Sequence, residues 1–157
     1  MKKAIKTGLG FGLTSGIITT LGVIVGLSSG THSEIAIISG VLTVAIADSL
    51  SDALGIHVSE ESKGNRNHGK IWMATVSASL SKFICAISFI IPVLLFSSSV
   101  AVLISIIWGF LLLSFFSYYI ARENGENPWR AIAEHLSVAT VVVIITHYAG
   151  VLINLLF

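Results

Sequence analysis

Hydrophobic residues in this chain neither alternate with polar ones nor recur as a narrow stripe. They run on in long blocks divided by short polar connections. A helix needs about 20 mainly apolar residues to cross a hydrocarbon core. Five blocks reach that length: residues 8–28, 34–57, 71–96, 99–121 and 129–156. The pattern predicts an all-α integral membrane protein with five transmembrane helices, forming one transmembrane domain over residues 1–157. The connections leave no room for a separate soluble domain, and no Pro-rich linker, low-complexity tract or internal repeat interrupts them. Lys2, Lys3 and Lys6 ahead of the first block imitate a signal peptide. The block is too long for an h-region of about 7–15 residues, however, and Ser28-Ser29-Gly30-Thr31 offers no A-x-A cleavage pattern. It is therefore predicted to be the first spanning helix. Asn127-Pro128 opens the fifth block, with proline in the first turn where its missing N–H costs nothing.

Composition sharpens this picture. Hydrophobic residues make up 54% of the chain and charged ones 11%, against about a quarter charged in soluble domains; the mean hydropathy is +0.92. Such a chain is neither disordered nor an ordinary cytosolic enzyme. A net charge of +1 gives no sustained attraction for phosphates, which argues against a nucleic-acid partner. The single cysteine, Cys85, lies in an apolar block and is expected to be a buried thiol. Basic residues avoid translocated loops. Lys2, Lys3, Lys6, Lys63, Arg66, Lys70, Arg122 and Arg130 all fall on one side of the five predicted helices. The N-terminus is thus expected to be cytosolic and the C-terminus outside, and the lipid bilayer is the expected partner. With no organelle-targeting segment, a prokaryotic plasma membrane is the expected location.

The remaining basic residue, Lys82, lies inside the third block, and Asp48 and Asp52 lie inside the second. A charge near the bilayer centre costs at least about 2.5–3.5 kcal/mol, so it is kept where it is paired or functional. Four residues separate the two aspartates, which puts them on one helical face. At about 1.5 Å per residue, Asp48 is roughly 14 Å and Lys82 roughly 16 Å from the connection joining helices 2 and 3. Lys82 is therefore expected to meet a carboxylate. Two carboxylates and one ammonium leave a surplus negative charge at depth, which binding a proton or a cation relieves. The alternative is a structural ion pair with the second aspartate protonated. Ser51 is expected on the Asp48 side of helix 2.

Helix 1 carries glycines at Gly8, Gly12 and Gly16, then Gly22, Gly26 and Gly30. Four-residue spacing of this kind admits a second helix at close range, either within the chain or at a dimer interface. His57, Glu60 and Glu61 near the second connection, with Glu134 at the start of helix 5, offer donors for a cation at a cytosolic entrance. Glu134 alternatively pairs with Arg130 four residues away. His147 is expected to be a hydrogen-bonded packing residue. No H-E-x-x-H, C-x-x-C pair, P-loop or nucleophile elbow occurs, so no enzyme activity is expected.

Two segments resemble signatures of the vacuolar iron transporter family. Ser15-Gly16-Ile17-Ile18-Thr19-Thr20-Leu21-Gly22-Val23-Ile24-Val25-Gly26-Leu27 resembles the first-helix signature, and Ala47-Asp48-Ser49-Leu50-Ser51-Asp52-Ala53-Leu54-Gly55-Ile56-His57-Val58-Ser59 the second. Pro92, Tyr118-Tyr119 and Tyr148-Ala149-Gly150 also fit. The resemblance implies a homodimer that exports divalent iron or manganese from the cytosol against protons, with metal as substrate and no resident cofactor. The departures carry information as well. The family's Asp-Gly in helix 1 is Ser15-Gly16 here, its Ser-Met in helix 2 is Ser51-Asp52, and its Gly-Glu-Tyr is Gly55-Ile56-His57. Residues 58–70 stand in place of a long acidic cytosolic extension. Asp52 is thus expected to replace the carboxylate lost at Ser15, which hardens the site towards oxygen-loving ions such as manganese or magnesium.

These readings converge on a proton-coupled divalent-metal transporter. Asp48 and Asp52 are its expected metal ligands, and Ser15, Ser51 and Lys82 complete the cation and proton pathway. A non-transporting scaffold or regulatory module built on an Asp–Lys pair, and a passive cation channel, are the alternatives.

Overall fold

The computed structural model describes residues 2–64 and 66–157; Met1 and Asn65, the latter within the 58–70 connection, lie outside the described part. Five helices are long and apolar enough to cross a membrane: α1 (Lys2–Thr31), α2 (Glu34–Ser62), α3 (His68–Leu95), α4 (Ser98–Asn124) and α5 (Pro128–Leu156). No strand occurs among the described residues. Each helix runs past its apolar block into polar ends, because local caps rather than hydropathy set the boundaries. Ser33 accepts a hydrogen bond from the Ala36 N–H, Asn67 from Lys70 N–H, and Asn127 from the Trp129 and Arg130 N–H groups. These side chains satisfy helix-start donors that have no partner within the helix. Gly125 closes α4 at φ +74, a left-handed conformation that costs glycine nothing.

Helix α1 is the hub. Its first glycine series faces α3, and its second faces α5. A Cβ on Gly8 would strike the Ala74 carbonyl, and one on Gly12 the Ala78 carbonyl, while one on Gly16 would come to 3.1 Å from the Lys82 stem. Further along, Gly22 approaches Val142 and Gly30 lies against Gly150, whose own Cβ would meet the Gly26 carbonyl. Residue numbers rise together in both contacts, so α1 runs parallel to α3 and α5. It runs antiparallel to α4, where Leu21 packs on Gly109 and Lys6 pairs with Glu123. The chain therefore passes up and down five times, and the connections after α2 and α4 share one end with Lys2, Lys3 and Lys6. We call this the basic end. Both glycine faces of α1 are used within the chain, so the self-association role considered for Gly8, Gly12, Gly16, Gly22 and Gly26 has no free face here. Replacing Gly12 by leucine forces α1 and α3 apart. Overpacking of this kind costs about 1–3 kcal/mol, and a lowered thermal midpoint of the purified protein is the expected readout.

Between the helices lies an apolar core in which Ile17, Leu21 and Ile24 of α1 meet Ile37 and Val41 of α2 and Phe89 of α3, all fully enclosed. Outward, Leu50 and Leu54, Val76, Leu80 and Ile84, Leu111 and Phe115, and Ile145 and Leu152 stay exposed. A girdle of exposed apolar side chains on helices with internally satisfied backbones suits lipid rather than water.

Helix α2 is not uniform. It is α-helical over Glu34–Thr43, a π-helix over Val44–Asp48 and α-helical again over Ser49–Ser62. Its inward residues Ile37, Val41, Ala45, Ser49 and Ala53 recur strictly every fourth position, and all are buried. A 3.6-residue turn lets such a row drift by about 40° per step. The wider π turn takes up part of that drift and keeps the row pointing inward. The Ser49 hydroxyl donates to the Ala45 carbonyl at 2.6 Å, beside the loosened turn.

Candidate functional site: a lysine between two aspartates

The π turn ends at Asp48, so the first residue to emerge from it carries a charge. One α-helical turn later comes Asp52, and both face Lys82 on α3. The Lys82 Nζ lies 2.5 Å from Asp48 Oδ2, 2.5 Å from Asp52 Oδ2 and 2.9 Å from Ser15 Oγ on α1. The Ser15 hydroxyl in turn donates to Asp52 Oδ2 at 2.6 Å. An ammonium has three donors and no acceptor. Here it meets two carboxylates from α2 and one hydroxyl from α1. Gly16 permits this, because its missing side chain lets the Lys82 stem lie against α1.

Exposure divides the site. The Lys82 side chain is 0% exposed, Asp52 is 22% and Asp48 36% exposed. The cation is sealed among helices while the carboxylates look outwards over the α2 surface. The unit sets two carboxylates against one amine, so by residue type acids outnumber bases there.

The sequence-derived residues divide accordingly. Asp48, Asp52, Lys82 and Ser15 are brought together. Ser51 is not, since it is exposed and takes part in no described contact of the site. Its side chain is exposed on α2, outside the contacts that join Asp48, Asp52, Lys82 and Ser15. The proposed cytosolic entrance divides in the same way. His57 accepts or donates through Nδ1 to Thr75 Oγ1 at 3.1 Å, and its Nε2 lies 3.5 Å from Glu61 Oε1. Its ring also meets Trp72 edge to face at 4.9 Å. Glu60 pairs with Lys63 at 2.8 Å. Glu134 stays on α5, paired with Arg130 at 2.8 Å and mostly exposed, so it does not join the His57–Glu61 pair. Among the described residues no three His, Cys, Asp or Glu side chains gather around a point that could hold a metal ion.

Sequence reasoning missed the partners of the histidines. His135 Nδ1 lies 2.7 Å from Ser117 Oγ, and His147 Nδ1 lies 2.7 Å from Ser29 Oγ. Each joins α5 to a neighbouring helix, and pairing of this kind leaves no mark in local spacing. Other hydroxyls of α1 are spent within the helix, with Thr14 donating to the Gly10 carbonyl and Thr19 to the Ser15 carbonyl.

Fold and site together define an all-helical protein with five membrane-length apolar helices and a buried lysine held by two partly exposed aspartates. No protein-family model, curated protein or solved structure matches the chain.

Proposed function

We propose that this chain is a proton-coupled transporter of divalent metal cations, of the manganese and iron class, in which Lys82 and the metal compete for the same two carboxylates. One observation carries the reading: a wholly enclosed ammonium saturated by Asp48, Asp52 and Ser15, while the carboxylates keep an outward face. A cation arriving from that face meets oxygens already held together, and its charge weakens the hold on the lysine. Loss of the Lys82 proton as metal enters leaves two carboxylates and a neutral amine around a dication, a neutral unit suited to a low-dielectric span. Metal and proton are thereby exchanged at one place, which is the chemical requirement of an antiporter.

The resemblance to vacuolar iron transporters supports the same assignment, with the basic end cytosolic and export as the direction. It also supports a homodimer, in which a second copy facing α2 covers the outward carboxylate edges and adds ligands to a set that is sparse in one chain. His57 and Glu61, on the basic side of Asp52, are suited to pass cations or protons towards it. A prokaryotic plasma membrane is the proposed location. The saturated Lys82 equally favours one competing reading, a non-transporting module whose Asp–Lys–Asp unit is purely structural.

Reconstituted vesicles separate the two. Under an imposed pH gradient, manganese should accumulate, and each ion taken up should be accompanied by proton movement in the opposite direction. Accumulation that ignores the pH gradient would indicate a channel, and no uptake of manganese, iron or magnesium would leave the structural module.

A further inference from the structure

At the basic end, on the side of α1 away from the Asp–Lys–Asp unit, α1, α4 and α5 splay apart around a cleft of about 640 Å³. Its mouth is lined by Lys3 and Lys6, and its depth by Leu13, Phe116 and Ile120, with His135 on the α5 wall. We propose that this cleft is a binding site for an anionic phospholipid, with the phosphate at Lys3 and Lys6 and one acyl chain along the apolar wall.

Three features select that chemistry. The first is charge. Glu123 is the acid of the cleft lining, and Lys6 is paired with it. Lys3 makes no ion pair among the described residues, so the mouth carries one uncompensated positive charge. A free cation is repelled there and an anion attracted. The second is polarity along the depth: cations at the mouth give way to leucine, phenylalanine and isoleucine, which suits a molecule with an anionic head and a hydrocarbon tail. The third is length. The α1 wall runs from Lys3 to Thr14, a rise of about 16 Å, close to half of a hydrocarbon core about 30 Å thick. A chain from one leaflet fills it. Tyr119 at the rim has the amphipathic ring favoured at headgroup level, and juxtamembrane lysines attract anionic lipids. The proposal rests on the membrane reading of the five apolar spans. It stands or falls separately from transport, because Ser15, Asp48, Asp52 and Lys82 do not line the cleft.

The test is titration of the purified full chain in detergent, read by native mass spectrometry and by thermal midpoint. The probes are phosphatidylglycerol, phosphatidylcholine with the same acyl chains, and inorganic phosphate. Phosphatidylglycerol should bind more tightly than phosphatidylcholine and raise the midpoint further, whereas inorganic phosphate should do neither. Lys3→Gln, at an exposed position, should weaken phosphatidylglycerol about fivefold, the attraction of about one lysine for an anionic lipid, and leave phosphatidylcholine unchanged. Gly10→Leu places a side chain where a Cβ already meets the Ile120 methyl at 3.3 Å, and should exclude the acyl chain. Equal binding of the two lipids, or a phosphatidylglycerol preference that survives Lys3→Gln, overturns the proposal. An effect of inorganic phosphate equal to that of phosphatidylglycerol also overturns it, assigning the mouth to a free anion. If Gly10→Leu does not fold, the Lys3→Gln comparison decides alone.

Discussion

Replacing Lys82 by methionine is expected to be among the most damaging single substitutions in the protein. Methionine keeps most of the apolar stem against Gly16 but removes the cation that holds Asp48 and Asp52 together. Breaking a buried ion pair from one side costs about 3–5 kcal/mol, because the partner charge remains without compensation. Here two carboxylates remain, close together and within an apolar span. The thermal midpoint at neutral pH should fall steeply. Adding Asp52→Asn to Lys82→Met should restore stability, so that the double variant is more stable than Lys82→Met alone. A double variant no more stable than the single one would show that the three groups are not energetically coupled. Flux distinguishes transport from a structural role. If Lys82 competes with the metal, manganese should bind the folded variant more tightly while uptake loses its response to the pH gradient. If the unit is structural, neither quantity changes beyond what instability explains.

Asp52→Asn carries the second large effect, and its comparison with Asp48→Asn is the informative part. Asp52 accepts from both Ser15 and Lys82, whereas Asp48 meets Lys82 alone and is the more exposed of the two. Hydrogen bonds to charged groups contribute about 1.5–3 kcal/mol. Asp52→Asn weakens two of them in the more enclosed position, so its midpoint should lie below that of Asp48→Asn. The double replacement strands a fully enclosed ammonium and should be worse than either alone. The triple variant Asp48→Asn, Asp52→Asn, Lys82→Met removes every charge together, and by the same reasoning should fold more stably than the double aspartate variant. Under the transport proposal it is also inert, with manganese uptake at the level of empty vesicles. Normal uptake by the triple variant would remove Asp48, Asp52 and Lys82 from the mechanism.

Much of the fold could be read directly because the dominant force is local in sequence. An apolar block long enough to span hydrocarbon declares itself residue by residue, and the five long helices cover the five expected blocks, save Phe96 at the end of the third. The helix ends were less legible, since capping by Asn67 and Asn127 starts α3 and α5 ahead of their apolar runs. The glycine series announced close packing but not its partner. Only assembly shows that α1 gives one series to α3 and the other to α5.

For the candidate site, the sequence by itself determined the unusual charges: two acids and a lysine at matching depth in consecutive apolar blocks, a statement that needs only counting and the helical rise. The tertiary structure decided the rest. It brought Lys82 to both aspartates rather than one, recruited Ser15 from a helix distant in sequence, and left Ser51 and Glu134 exposed outside the unit. The physical reason is rotational phase. Depth accumulates along a helix in equal steps, but the direction of a side chain depends on every turn before it and on the neighbour it packs against. The π turn before Asp48 resets that direction over Val44–Asp48, and nothing in hydropathy alone marks where such a reset falls.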